Sequence, residues 1–356
     1  MPTTLSDLML LRLHNQHLLS PGADPAADLC GLQAQFLRNA VHALRIRSGE
    51  VSADSLVKTW TLRGTVHLIP QQDLPLYIRR CGSAEDICRS GWYQWTAARG
   101  HANPPQREIE LARLTLEAIA AGIDEREALR SHLRSCGMTA QEEARAFNAW
   151  GGIIAELAGI GAIAFRVSLT DDLRPDETRR YRLLTPFMPM EENASKLELI
   201  RRYFTHYGPA TLRDAAYFFR WTQSDIKTLL TRLPAETAVV DGRTYFFIPN
   251  GEPERDMPEV ILLAGFDPLM MGYRKEDNPF LPQAHLRGIF NLAGIVNPPI
   301  LLHGRVVGKW KISHGQTAEK GGKIELTAFE PLPAADKARI ESEAIRRLSP
   351  RDVKWT

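Results

Sequence analysis

Thr211-Leu212-Arg213-Asp214 and Thr222-Gln223-Ser224-Asp225 give one signal twice, eleven residues apart. Each sets a threonine hydroxyl three residues ahead of an aspartate, the arrangement that closes a helix N-terminus. Beyond the first, Ala215, Ala216 and Phe219 face inward. Beyond the second, Ile226, Leu229, Leu230 and Leu233 do so. Arg220-Trp221 separates the two helices, and Gly208-Pro209 ends an earlier one read over Ala194–Tyr207. Downstream, Ala238–Val240 and Arg243–Ile248 flank Asp241-Gly242, a two-residue hairpin turn of the favoured kind. Three helices and a hairpin make a winged helix. Its second capped helix offers only Lys227 and Arg232 against Asp225, a sparse set for reading bases, so this unit reads as architectural.

The same order recurs upstream. Arg107–Ala121 reads as a helix, and Asp124 with Glu127 opens another that ends near Gly137. Thr139 with Glu142 caps a third over Ala140–Leu157. Ile160–Ser168 and Arg179–Thr185 read as a hairpin, with Arg180 and Arg182 on one strand face and an acidic tip at Asp171, Asp172, Asp176 and Glu177. That basic face suits phosphate contact or simple solvation equally. Nearer the N-terminus, Ser6 heads a helix over Asp7–His17, Asp24-Pro25 a short one over Ala26–Cys30, and Ser52 one over Ala53–Thr59. Thr61–Ile69 then alternates as a strand, with Leu62, Val66 and Leu68 on one face and Thr61, Arg63, Thr65 and His67 on the other. Trp92, Tyr93 and Trp95 interleave with Arg79, Arg80, Arg89 and Arg99. Aromatics beside helices are read as core first and as nucleic-acid contacts second.

After Val260 the texture changes. Val260–Ala264, Pro299–His303, Val306–Ile312 and Lys323–Phe329 are strand-like, and Ala335–Leu348 is helical, which predicts a small barrel or sandwich. Arg274, Lys275, Arg287, Arg305, Lys309 and Lys311 give this lobe a basic cast.

The totals bound the answer. The chain has 356 residues, 44% hydrophobic and 24% charged, with a net charge of +2. That is room for several ordinary globular domains, and any basic surface must come from clustering. No apolar run reaches membrane length, and residues 1–7 lack the pattern of a secretion signal. Cys30, Cys81, Cys88 and Cys136 form no Cys-x-x-Cys pair, so the thiols are expected to be reduced and cytosolic. No His, Asp, Glu and Cys set has metal-ligand spacing, so neither metal nor other cofactor is expected.

Gly31-Leu32-Gln33-Ala34-Gln35-Phe36 precedes a helical run over Phe36–Arg47. Residues i and i+2 diverge on a helix but share a face on extended or turning backbone, so joint use of Gln33 and Gln35 requires a break that Gly31 can supply. Each neutral amide both donates and accepts, so a pair can hold and orient one water. Without that break they are two solvated side chains at a helix start.

This stretch, together with Thr61-Leu62-Arg63-Gly64-Thr65-Val66-His67-Leu68, Phe266-Asp267-Pro268-Leu269 and Gly304-Arg305-Val306-Val307-Gly308-Lys309-Trp310, resembles the AlkZ/YcaQ family of bacterial winged-helix DNA glycosylases over nearly the whole chain. The family divides into Gln-x-Gln and Gln-x-Asp branches, and Gln33 and Gln35 carry the first form, with a small Ala34 between them. The resemblance implies an α+β fold: three tandem winged-helix units (1–103, 104–190, 191–252) and a C-terminal β-barrel-like lobe (253–356), C-shaped around a DNA channel. It implies hydrolysis of the N-glycosidic bond of N7-alkylated purines, with bulky adducts or interstrand crosslinks within reach, by a monomer acting on duplex DNA in the bacterial cytoplasm, at the nucleoid. Gln33 and Gln35 would be catalytic. Arg63, Thr65, His67, Arg180, Arg182, Arg274, Lys275, Arg305 and Lys309 are the candidate DNA contacts, with a hydrogen-bonded structural role open for His67. Asp267 reads as an Asp-Pro turn before it reads as an acid. The competing function is a non-enzymatic winged-helix regulator. A protein-interaction scaffold is a third, and it requires scattered basic residues.

Overall fold

The computed structural model describes residues 1–48, 55–79, 82–148, 151–167, 179–253, 256–313 and 322–356. Ser52, Ala53, Arg80, Cys81, Ser168 and the acidic tip Asp171, Asp172, Asp176 and Glu177 lie outside them. The described residues group into two units. The first holds those of 1–48 and 196–356, and the second those of 55–167 and 179–195.

The first unit opens with α1 (Leu5–Asn15), α2 (Pro25–Asp28), a two-residue extended piece β1 (Leu32–Gln33) and α3 (Leu37–Arg45). The cap of α1 is Thr4 rather than Ser6: Thr4 and Asp7 close a reciprocal capping box. Asp24 caps α2, with Pro25 in its first turn.

The second unit begins with a departure from expectation. Residues 56–60 form a strand, β2 (Leu56–Trp60), paired antiparallel with β3 (Val66–Pro70) in the register Leu56↔Pro70 to Trp60↔Val66. The helix read over Ala53–Thr59 is therefore wrong where it is described. Leu56, Val57 and Thr59 are all buried: Val57 packs into one core cluster and Trp60, on the opposite face, against another, and a strand covered on both faces loses its alternation. The strand read over Thr61–Ile69 is shorter, since Arg63 (φ 58°) and Gly64 (φ 68°) turn the chain between β2 and β3. Next come α4 (Leu74–Tyr77), α5 (Gly91–Ala97), α6 (Pro105–Ala120), α7 (Arg126–Ser135), α8 (Ala140–Ala146) and α9 (Ile153–Gly159). The single helix read over Ala140–Leu157 is thus two. Gly152 (φ 55°) forces the break, because a Cβ there would lie 2.0 Å from the Ala146 carbonyl oxygen. β4 (Ile163–Phe165) and β5 (Tyr181–Leu183) complete a sheet within this unit ordered β3-β2-β4-β5. Leu111, Leu129, Leu133, Ile154 and Leu157 build the core beneath the helices.

α10 (Glu192–His206) leads back into the first unit, followed by α11 (Leu212–Phe219), α12 (Gln223–Leu230), β6 (Glu236–Val240) and β7 (Arg243–Phe247). Thr211 and Thr222 cap α11 and α12 as read, and Asp241 (φ 50°) with Gly242 (φ 72°) makes the hairpin turn. α1 is fixed against this group: the Arg12 guanidinium donates to Pro209 O at 2.8 Å and stacks 3.9 Å over the Tyr273 ring.

The C-terminal portion contains β8 (Val260–Leu262), α13 (Pro268–Met271), α14 (Leu286–Ile289), β9 (Pro299–Leu302), β10 (Arg305–Ser313), β11 (Lys323–Ala328), α15 (Ala334–Leu348) and β12 (Asp352–Trp355). It is not a barrel. The sheet is open, ordered β12-β11-β10-β9-β8, with β12 added parallel to β11. Closure is unnecessary because α15 covers one face, burying Ile340 and Ala344 against Ile300, Trp310, Ile324 and Leu326.

Candidate functional site

The turn after α2 decides the geometry of the glutamine pair. Cys30 (φ 55°) and Gly31 (φ 86°) are both left-handed, and Gly31 N–H donates to Ala26 O at 2.8 Å. This reversal ends α2 and releases the chain as extended backbone. Leu32 and Gln33 are extended, and Gln35 and Phe36 bend into α3. Leu32 and Ala34 are fully buried, Gln33 is 8% exposed, and Gln35 is exposed. The break in the helix that joint use of the two glutamines requires is present between α2 and α3. The first turn of α3 has no side-chain cap and no acid.

This segment stands on α10. The Arg202 guanidinium donates to Ala27 O at 3.0 Å, Tyr207 Oη to Leu29 O at 2.9 Å, and Cys30 Sγ lies 3.8 Å from Leu199 O. In addition, His17, Asp28 and His206 converge, with one ligand atom from each within 4.8 Å of the others, a set that sequence spacing did not reveal.

On its other flank, α3 is held by the β-lobe. Arg47 and Asp267 form an ion pair at 2.6 and 3.0 Å with both side chains fully buried. Asp267 also accepts from Leu269 N at 2.9 Å, closing the start of α13, so the Asp-Pro turn is correct and this acid is committed to structure. His42 donates to Leu262 O at 2.9 Å and meets the Trp310 ring edge-on at 5.1 Å. Burial pushes its pKa down to about 4, so it is neutral. Trp310 Nε1 donates to Leu263 O at 2.8 Å. Phe36 meets Phe266 at 6.0 Å, and a Cβ on Gly265 would crowd Asn39 Nδ2 at 2.7 Å. The Phe266–Leu269 and Gly304–Trp310 motifs therefore share one task, seating the helix that follows the glutamine pair. A cavity of about 170 Å³ remains among Phe36, Arg38, Asn39, His42, Phe266 and Trp310.

The other candidates fall into two groups. In the second unit, His67 is 2% exposed and its Nδ1 donates to Thr65 O at 3.1 Å, 2.8 Å from Thr61 Oγ1. Burial pushes it down to about 3, and this neutral, enclosed ring fits the structural role left open for it. Arg63 and Thr65 are half-buried at the hairpin end. Arg180 is paired with Asp124 at 2.9 Å and Glu125 at 3.3 Å, and Arg182 donates to Gln71 Oε1 at 3.1 Å. In the first unit, Arg274 lies 3.6 Å from Asp277, Lys275 3.9 Å from Glu276, and Arg305 3.9 Å from Glu330. Lys309 sits half-buried on β10 opposite Thr327.

Two features were misjudged or missed. Trp92 (37% exposed) and Trp95 (48% exposed) are not core. They stack at 5.1 Å, and Arg99 lies 4.1 Å over the Trp95 ring. Glu156 was not singled out at all. It is 6% exposed, accepts from Ser90 Oγ at 3.4 Å, and borders a cleft of about 660 Å³ with Trp60, Tyr77 and Trp92. Burial first, and then Glu108, push its carboxyl up to about 8. A lone acid inside the apolar run Ile153–Ile160 was the available signal.

Comparison with known proteins extends these observations to the whole chain. Residues 26–349 match the family described as DNA glycosylase AlkZ-like. An interstrand DNA cross-link repair glycosylase from Streptomyces sahachiroi is 25% identical over 364 residues, covering 92% of each chain. The solved structure of Streptomyces sahachiroi DNA glycosylase AlkZ matches with a TM-score of 0.70 at 22% identity, covering 100% of both chains, so the mixed α+β fold is shared.

Proposed function

The chain belongs to the AlkZ-like DNA glycosylase family, and on that premise we propose that Gln33 and Gln35 are the residues with which it hydrolyses N7-alkylated purine nucleotides in duplex DNA. Membership sets the reaction type, cleavage of an N-glycosidic bond in DNA repair, and sets aside the non-enzymatic regulator. The observation that carries the residue assignment is the left-handed Cys30-Gly31 turn. It ends α2 and leaves Gln33 on extended backbone and Gln35 at the bend that leads into α3.

The chemistry needs little more than placement. An N7-alkylated purine is already cationic, so it departs without a protonated acid. As the C1′–N9 bond breaks, its electron pair returns to the base and positive charge builds on the sugar. Water oxygen attacks C1′ and loses a proton to solvent, leaving an abasic sugar and a free base. Two amide oxygens oriented by fixed backbone can hold that water and face the developing charge without reorganising. No carboxylate pair is called for, unlike ordinary glycoside hydrolysis.

In this reading the helix–helix–helix–hairpin runs are winged helices, and the segments 1–103, 104–190, 191–252 and 253–356 are the parts of a DNA-binding enzyme. The uncapped first turn of α3, with Arg38, supplies a phosphate contact beside the glutamines. Arg63, Thr65, Arg274, Lys275, Arg305 and Lys309 remain candidate backbone contacts. Arg180 and Arg182 must exchange their present hydrogen bonds to serve. The protein acts as a monomer, in the cytoplasm and on the nucleoid. An open cleft suits bulky adducts and crosslinks, which cannot swing into a snug pocket, and the repair of cross-links named for the Streptomyces relative supports that extension.

The test is base release from a duplex with a single N7-methylguanine. Gln33→Ala and Gln35→Ala should each slow abasic-site formation by about 10²-fold or more. Wild-type rates in both folded variants would remove the assignment.

A further inference from the structure

The meeting of His17, Asp28 and His206 in the first unit belongs to none of the machinery above. His17 Nε2 lies 2.8 Å from Asp28 Oδ2, and His206 Nε2 lies 3.3 Å from Asp28 Oδ1. The three come from the turn just after α1, the last residue of α2 and the last residue of α10.

Three observations separate this set from ordinary surface ion pairing. His206 Nδ1 donates to Asn15 O at 3.1 Å, and a carbonyl only accepts, so Nδ1 carries the proton. Its other nitrogen, Nε2, faces a carboxylate oxygen of Asp28 across 3.3 Å. A metal-ligating histidine shows this arrangement: its far nitrogen bound to a backbone carbonyl and its near nitrogen free for a cation. Second, His17 adopts φ 59°, a left-handed conformation that is costly for a residue with a side chain. Third, a Cβ on Gly22 would lie 2.5 Å from His17 Cγ, so a glycine clears the space into which that ring is turned. The fold thus spends backbone strain and a side-chain-free position to aim one imidazole at Asp28.

We propose that His17, Asp28 and His206 bind a divalent transition-metal ion, zinc in the first instance. Two imidazoles and a carboxylate are zinc donors, and around a tetrahedral ion such atoms stand roughly 3.3 Å apart. The observed 2.8 and 3.3 Å, one to each oxygen of Asp28, lie below or at that spacing, and all three donor atoms lie within 4.8 Å of one another. Asp28 is 30% exposed at its side chain, which gives the ion an entry path and leaves water the fourth position. Bound there, the ion ties α1, α2 and α10 together just ahead of the Cys30-Gly31 turn and so secures the footing of the glutamine segment. The site is independent of the reaction assigned to that segment.

The test is titration of chelator-stripped full-length protein with Co²⁺ and then Zn²⁺. The expected result is one equivalent of Co²⁺ per chain with visible d–d absorption, its displacement by Zn²⁺, and a Tm that rises with metal. His206→Gln and His17→Gln should each weaken binding by at least about tenfold. No stoichiometric absorption in wild type, or binding of equal strength in the variants, overturns the proposal. If His206→Gln fails to fold, His17→Gln, at a partly exposed ring, carries the same comparison.

Discussion

Gln33 and Gln35 are two residues apart and live in different surroundings, one nearly covered and the other exposed. Their substitutions should therefore separate. Gln35→Ala is expected to leave stability within about 0.5 kcal/mol of wild type, as surface changes do, while base release falls. A denaturant melt beside the excision assay checks this. Asp267 behaves in the opposite way. Removing it leaves the fully buried Arg47 guanidinium without its counter-charge, and the cost should be about 3–5 kcal/mol, read as a lowered urea midpoint. Glu156 gives a pH signature. Its folded value is about 8 against an ordinary value of 4.5, so between these the folded state holds the extra proton and stability falls as pH rises. Glu156→Gln removes this slope. The variant should gain on the order of 3 kcal/mol over wild type at pH 9 and little at pH 5, by melts at the two pH values. Neither the Asp267 pairing nor the Glu156 environment was legible in sequence. Arg47 and Asp267 are 220 positions apart, and an acid in an apolar run does not announce what lies over it.

At the scale of elements, legibility followed how local the determining physics was. α11, α12 and the β6–β7 hairpin stand where they were read, because threonine caps and an Asp-Gly turn are settled by four neighbouring residues. β2 was misread because its identity comes from strands on both sides, which no local pattern carries. Four of the five C-terminal strands were read within a residue or two, but β12 was not, and neither was the open sheet, since whether a sheet closes depends on the helix that covers it. The α8–α9 break was visible as Gly151-Gly152 and passed over. Gly152→Ala should cost at least about 2 kcal/mol, because it adds both a forbidden backbone angle and a clash with Ala146 O. Thermal melts of this variant and of Gly122→Ala, whose added Cβ meets nothing within 4 Å, separate the clash from the backbone cost.

For the whole molecule, four short motifs pointed to one family before any contact was known, and the match over residues 26–349 agrees. The fold explains part of their co-occurrence: in the first unit, the Phe266–Leu269 and Gly304–Trp310 motifs hold α3 behind the glutamines. Hidden from sequence was the histidine–aspartate cluster, whose members are gathered by packing from positions 17, 28 and 206. The central claim is that two neutral amides, and no carboxylate, perform the hydrolysis. Its most direct test is single-turnover release of N7-methylguanine from duplex DNA by wild type, Gln35→Ala and the Gln33→Ala/Gln35→Ala double variant, with DNA affinity measured alongside. The account predicts abasic sites with wild type, a loss of about 10²-fold or more in both variants, and duplex binding retained. Undiminished base release by the double variant would contradict it.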